Sequence, residues 1–152
     1  MQVAVRAATV ADAAALGALR WRRQTEERGY PGTDRADFIA HFSAWATAHT
    51  ASHLPFLAET AGEVIGMAWL MVADRVPYPG HRLRRSGDVQ SVYVVPELRD
   101  TGIGASLLAA VLDKAQELDL EHVTVHSTDR AVSFYRRVGF QHDRCWLRWR
   151  QD

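Results

Sequence analysis

The chain is poor in the residues that small extracellular proteins and membrane proteins depend on. Its 152 residues hold a single cysteine, Cys145, which excludes an internal disulfide framework. No apolar run approaches the roughly 20 residues that span a bilayer. The first residues, Met1-Gln2-Val3-Ala4-Val5-Arg6, lack the long apolar core of a secretory signal. Charge of one sign is missing as well: 18 basic and 18 acidic side chains cancel, leaving no field to draw the chain onto nucleic acid or an anionic membrane. Histidines are scattered and cysteines do not cluster, so no metal-ligand spacing is present. Internal repeats and low-complexity tracts are absent. With 47% hydrophobic and 24% charged residues, the sequence reads as one globular domain over residues 1–152, soluble and cytoplasmic, working without metal, nucleic acid or membrane.

Periodicity supplies the elements. Residues 2–7 read as a short strand, and Thr9 with Asp12 three residues on is a variant capping box before a helix carrying Ala13, Leu16 and Leu19. Gly29-Tyr30-Pro31-Gly32 breaks that helix. Thr33 or Asp34 starts another, with Phe38, Phe42, Trp45, Ala46 and His49 along one stripe. Residues 55–60 and 64–73 read as strands joined in a hairpin by Ala61-Gly62-Glu63. The stretch 74–87, rich in proline, glycine and basic groups, reads as an exposed loop. Residues 88–95 form a central strand, Ile103 to Leu118 an amphipathic helix, residues 122–126 a strand and residues 129–138 a last helix. Alternation of Trp146, Arg148 and Arg150 against Leu147 and Trp149 predicts one or two closing strands within 140–150.

Chemistry enters where the central strand meets the helix after it. Arg99-Asp100-Thr101-Gly102-Ile103-Gly104-Ala105 places two glycines at a strand-to-helix turn, where bare backbone approaches a ligand closely and helix-terminal N–H groups favour an anion. Alone, such a turn is equally a tight connection with a helix cap. Some thirty residues on stands a second block, Ala131-Val132-Ser133-Phe134-Tyr135-Arg136-Arg137-Val138-Gly139-Phe140, a short helix closed by glycine.

Together, Val-x-Val-x-Pro-Glu-x-Arg-x-x-Gly-x-Gly over 92–104 and Ala-x-x-Phe-Tyr-x-x-x-Gly-Phe over 131–140 resemble the GCN5-related N-acetyltransferase superfamily. The resemblance is firm over residues 87–142 and looser outside. It implies an α/β (α+β) fold: a twisted, mixed but mostly antiparallel sheet of six to seven strands, about four helices, and a central parallel pair, 88–95 and 122–126, that splays apart. It also implies acetyl-CoA as acyl donor and a primary amine as acceptor, by direct attack in a ternary complex. A non-catalytic acyl-CoA-binding module is the alternative, and a homodimer through the last strand is compatible with the sequence.

The resemblance assigns residues to this cofactor. The backbones of Val92 and Val94, with Tyr93 between them, would receive the pantetheine arm as an added strand would be received. Arg99, Asp100, Thr101, Gly102, Ile103, Gly104 and Ala105 would hold the diphosphate, Arg99 adding charge unless it pairs with Glu97 or Asp100. Thr128 stands where an asparagine commonly binds the arm, and either does so or caps a helix. Ala131 and Phe134 would pack against the cofactor. Tyr135 would lie near its sulfur, as general acid or as an ordinary helix tyrosine. Asp88 would take the amine proton through water, with His126, Glu59 or water alone as alternatives. For the acceptor, Trp21, Tyr30, Phe38, Trp45 and Trp69 form a pocket or core; Glu26, Glu27 and Asp34 would attract a cation; and Arg75, His81, Arg82, Arg84 and Arg85 meet an anion or merely solvate a loop.

Overall fold

A two-residue turn, Ala61 and Gly62 with φ of 49° and 80°, joins the strands at 53–60 and 63–75, because a turn of this hand matches the twist of the strands beside it. The computed structural model describes residues 1–152. Along the chain run β1 (Ala4–Ala7), α1 (Ala13–Trp21), α2 (Arg35–Ala48), β2 (His53–Thr60), β3 (Glu63–Arg75), β4 (Arg84–Val94), α3 (Ile103–Glu117), β5 (Val123–Val125) and α4 (Val132–Arg137). The sheet has the order β1-β2-β3-β4-β5, antiparallel throughout except for the parallel pair β4 and β5. An α/β sheet with one parallel pair is therefore present.

The expected six to seven strands are five. Residues 141–152 form no strand; Leu147 and Trp149 are exposed, and Trp146 rests its ring on His122 at 4.6 Å. Alternation defines a strand only where one face is covered, and nothing covers either face of this tail. A second expectation also shifts. The segment read as a loop over 74–87 is mostly ladder, since Arg75 pairs with Arg84 and only residues 76–83 connect the strands. Its polar arms are held by charge: Glu121 takes both Arg84 (2.7 Å) and Arg75 (3.3 Å).

Layers form on both faces of the sheet. The stripe Ile103, Leu107, Leu108, Val111 and Ala115 buries α3 against one face. On the other face Trp69 meets Phe42 and Trp45 of α2, with ring centroids 5.8 and 6.0 Å apart, and Phe42 continues through Phe38 to Trp21 of α1. Trp69 is core, Phe42 and Trp45 pack half-buried against it, Trp21 and Phe38 are half-buried further along the same run of rings, and Tyr30 is exposed. Asp34 caps α2 by accepting from Asp37 N–H at 3.0 Å, while Asp12 accepts from Thr9 N–H at 2.8 Å and pairs with Arg6 at 2.9 Å. Between α1 and α2 the chain does not break at once. Residues Arg22–Glu27 continue as a π-helical turn, a widening that often accompanies functional sites.

Candidate active site

The pairing of β4 with β5 stops early. Gly87, Asp88 and Val89 face Val123, Thr124 and Val125, and there β5 ends, while β4 continues to Val94. Met67 of β3 pairs with Tyr93 and Trp69 with Gln90, so Ser91 and Val92 together oppose Ala68 and form a bulge, with Ser91 at φ 55°. A bulge bends its strand and increases its twist. The last residues of β4 thus border a cleft rather than a neighbouring strand.

Alternation decides which backbone groups face that cleft. Val95 N–H donates to Ile65 of β3, so Tyr93 also turns its main chain to β3, and Val92 and Val94 turn theirs away. Their carbonyls accept side chains instead: Arg23 Nη1 reaches Val92 O at 2.8 Å and Arg99 Nε reaches Val94 O at 2.9 Å. The side chain of Tyr93 points to the face opposite α3. It is buried on the α1 side, where its hydroxyl donates to Glu27 and the guanidinium groups of Arg23 and Arg99 lie 5.9 and 5.5 Å from its ring centroid.

Arg99 differs from expectation. Its Nη2 pairs with Glu27 at 2.8 Å, 72 residues away, and not with Glu97, which is taken by Arg22, or with Asp100. Burial pushes the Glu27 carboxyl up, but the bonds from Tyr93 and Arg99 outweigh it and leave the group below the usual range. The phenol of Tyr93 is raised correspondingly, first by burial and then by Glu27.

At the end of β4 the turn is built for an anion by its main chain. Asp100 and Gly102 have φ of 62° and 87°, and the first bond of α3 runs from Ser106 N–H to Gly102 O at 3.1 Å. The N–H groups from Asp100 through Ala105 consequently donate to no protein acceptor. Thr101 spends its hydroxyl on Leu98 O at 2.6 Å. Gly104 has a second reason to lack a side chain, since a Cβ there would stand 3.3 Å from the ring of Phe134. Phe134 thereby docks α4 on the start of α3.

The neighbouring Tyr135 lies between Phe134 and Phe140, at centroid distances of 5.1 and 5.6 Å, and its hydroxyl bonds to no protein group. Burial raises its pKa, while the nearby charge of Arg23 pulls the other way. Thr128 precedes the turn Asp129–Ala131 without a side-chain capping bond, so its hydroxyl is not engaged as a cap. Asp88 sits where β4 and β5 are still paired. Its Oδ1 accepts from Thr124 at 2.7 Å and its Oδ2 from Gln90 at 3.2 Å, on the sheet face that carries Trp69. Of the alternatives, Glu59 is bound to Arg6 at 3.1 Å, two strands from the cleft, and His126 Nε2 lies 2.8 Å from Arg148. A cavity of about 520 Å³ lies elsewhere, lined by Leu16, His53, Trp69, Ala110 and Lys114 among others, and holds none of these groups. No group of side chains suited to a metal ion is present, and no helix is long and apolar enough to cross a membrane.

A family model described as the acetyltransferase (GNAT) family matches residues 16–140. The chain belongs to that family. It is 34% identical to an L-methionine sulfoximine/L-methionine sulfone acetyltransferase of Pseudomonas paraeruginosa, over 68% of this chain and 60% of that protein. It is 27% identical to a glucosamine 6-phosphate N-acetyltransferase of Trypanosoma brucei brucei, over 59% of each. The chain thus spans about three-fifths of the length of these curated relatives. A predicted acetyltransferase from Clostridium acetobutylicum, solved with acetyl-CoA, superposes with a TM-score of 0.77 over 98% of this chain and 96% of that one, at 22% identity, a likeness of fold. Family membership accounts for the cradle and the parted strands. It leaves aside Arg20, Arg23 and Gln24, which the sequence did not single out; their spacing from Ala13 and Leu16 on the buried side of α1 was the available signal.

Proposed function

We propose that the protein transfers an acetyl group from acetyl-CoA to a primary amine. The observation that carries this is the parting of β4 from β5 beyond Val89, with the outward-turned N–H groups of Val92 and Val94 at one end and the unbonded amides of residues 100–105 at the other. Those features fit coenzyme A: an amide-bearing arm matches an unpaired strand edge, and a diphosphate matches a row of free N–H groups. When bound, acetyl-CoA supplies a thioester that the amine attacks directly in a ternary complex, forming a C–N bond, breaking the C–S bond and releasing the thiol.

The residues of the chain then have definite tasks. Amides of residues 100–105 hold the diphosphate, with Arg99 keeping Glu27 neutralised beside it. The edge of Val92 and Val94 orients the arm, and Thr128, Ala131 and Phe134 wall it from the α4 side. Tyr135, kept protonated by its burial, gives its proton to the departing sulfur. Asp88 takes the amine proton through water, since two of the four acceptor directions of its carboxylate remain unused. The relatives named above act on an amino-acid analogue and on a phosphorylated amino sugar, both small amines, which supports a small-molecule acceptor.

The test is acetyl-CoA turnover against amino acids, amino sugars, polyamines and peptides, followed by free thiol. Release of thiol with at least one amine is expected. Stoichiometric binding of acetyl-CoA with no release across the panel would instead identify a non-catalytic acyl-CoA-binding module.

A further inference from the structure

Five arginines of this protein are paired with acids. Arg6 holds Asp12 and Glu59, Arg22 holds Glu97, Arg75 and Arg84 share Glu121, and Arg99 holds Glu27. Among the others, Arg20 on α1, Arg23 on the π-helical turn and Arg28 at its end form no ion pair. Arg20 and Arg23 are nonetheless half-buried on the stripe that continues Ala13 and Leu16 toward the sheet. Arg20 makes no hydrogen bond, and Arg23 makes one, to Val92 O at the mouth of the cleft.

Two half-buried guanidinium groups, Arg20 and Arg23, with the exposed Arg28 adding like charge and no counter-ion at hand, carry a desolvation penalty that an anion would relieve. Burial first, and the charge of Arg28 second, holds Arg20 below the usual guanidinium range, and the same causes act on Arg23 with Arg20 added. Acids that could have supplied the opposite sign are committed elsewhere: Glu26 to Arg22, Glu27 to Arg99 and Tyr93, Asp34 to the cap of α2. On the same turn Gln24 keeps its Oε1 buried with no donor, an acceptor waiting for an N–H. In the β3–β4 hairpin Arg75 and Arg84 are neutralised by Glu121, Arg85 donates to Leu118 O, and Arg82 is exposed.

We propose that the acceptor amine carries an oxyanion, carboxylate or phosphate, which Arg20, Arg23 and Arg28 bind while its nitrogen is presented to the cleft beside Val92. This rests on the acetyl-transfer reading above and specifies its substrate class. A guanidinium pairs with either oxyanion in a forked geometry that an ammonium-rich acceptor cannot use and would repel.

The test compares matched pairs of amines that differ in the anion: L-methionine against L-methioninamide for the carboxylate, glucosamine 6-phosphate against glucosamine for the phosphate. In at least one pair kcat/KM is expected to favour the anionic member by about tenfold to a hundredfold, and Arg20→Gln and Arg23→Gln should bring that ratio toward one. The pair that responds identifies which oxyanion the site takes. Equal use of both members in both pairs, preference for spermidine, or a ratio unmoved by the variants would overturn the proposal.

Thermal unfolding in the presence of coenzyme A and each amine gives a second readout independent of turnover. A rise in Tm with the anionic amine, weakened in the exposed-site variant Arg28→Gln, supports the site even where no thiol is released, a result that would defeat acetyl transfer alone. Absence of any such rise overturns the site.

Discussion

Arg23 Nη1 donates to the carbonyl of Val92 at 2.8 Å, tying the π-helical turn to the strand edge that borders the cleft across 69 residues of sequence. The same guanidinium lies near Tyr93 and exerts its charge on Tyr135, so one side chain touches the edge that would orient a cofactor and influences the group that would protonate its sulfur. This coupling makes the site a joint product of the first helix and the last.

Tyr135→Phe removes a proton donor without removing the ring that packs between Phe134 and Phe140. Turnover is expected to fall about 10²- to 10⁴-fold with little change in acetyl-CoA binding. Because burial raises the phenol above its ordinary value, any alkaline decline of wild-type kcat from this group should have its midpoint above that of a free tyrosine. Steady-state kinetics across pH checks both, and undiminished turnover in the variant removes the tyrosine from the mechanism.

Gly102→Val acts through backbone alone. A Cβ there meets open space, but φ of 87° is a conformation that a β-branched residue adopts only at a cost of about 1–3 kcal/mol. Acetyl-CoA affinity, measured by calorimetry, is expected to fall at least about tenfold, since about 1.4 kcal/mol corresponds to that factor. Gly104→Val should cause a different injury, pushing Phe134 off the start of α3 and loosening α4, visible as a lower Tm.

How much of this could be read from the sequence depends on the range of the interaction. Capping by Asp34, the Thr9–Asp12 pair, the Ala61-Gly62 turn and the glycine bend before α3 all rest on residues within a few positions of one another, and each was legible. The partner of Arg99 was not, because nothing local distinguishes Glu27 from Glu97 or Asp100. The start of β4 at Arg84 was hidden for a related reason: apolar alternation marks a strand, and this end is held by Glu121 across 37 residues instead. In the tail around Leu147 the alternation was present but had nothing to pack against.

Tyr93→Phe leaves a desolvated carboxylate oxygen on Glu27 with one donor fewer. Stability is expected to drop by about 1–3 kcal/mol in denaturant unfolding, and the Glu27 carboxyl should shift upward when its lowering bond is lost. A variant as stable as the parent would mean the pair contributes nothing.

Acid sensitivity should trace to Asp12. Its carboxyl is lowered to about 2, chiefly by Arg6 and against the opposing effect of burial. A depressed folded-state pKa gives stability that is present above the unfolded value of about 4 and lost as pH falls through about 2. Asp12→Ala is therefore expected to cost about 1 kcal/mol at neutral pH, with the difference from wild type closing between pH 4 and pH 2. Urea titrations at several pH values would reveal a constant difference if the ion pair with Arg6 were not responsible.

The claim on which the account rests is that the gap between β4 and β5 receives coenzyme A. A crystal structure grown with acetyl-CoA tests it most directly. The diphosphate is expected within hydrogen-bond reach of the amides of residues 100–105, with the pantetheine arm along Val92 and Val94 and the sulfur beside Tyr135. Coenzyme lodged in another cavity, or β5 paired with β4 all the way to Val94, would contradict it.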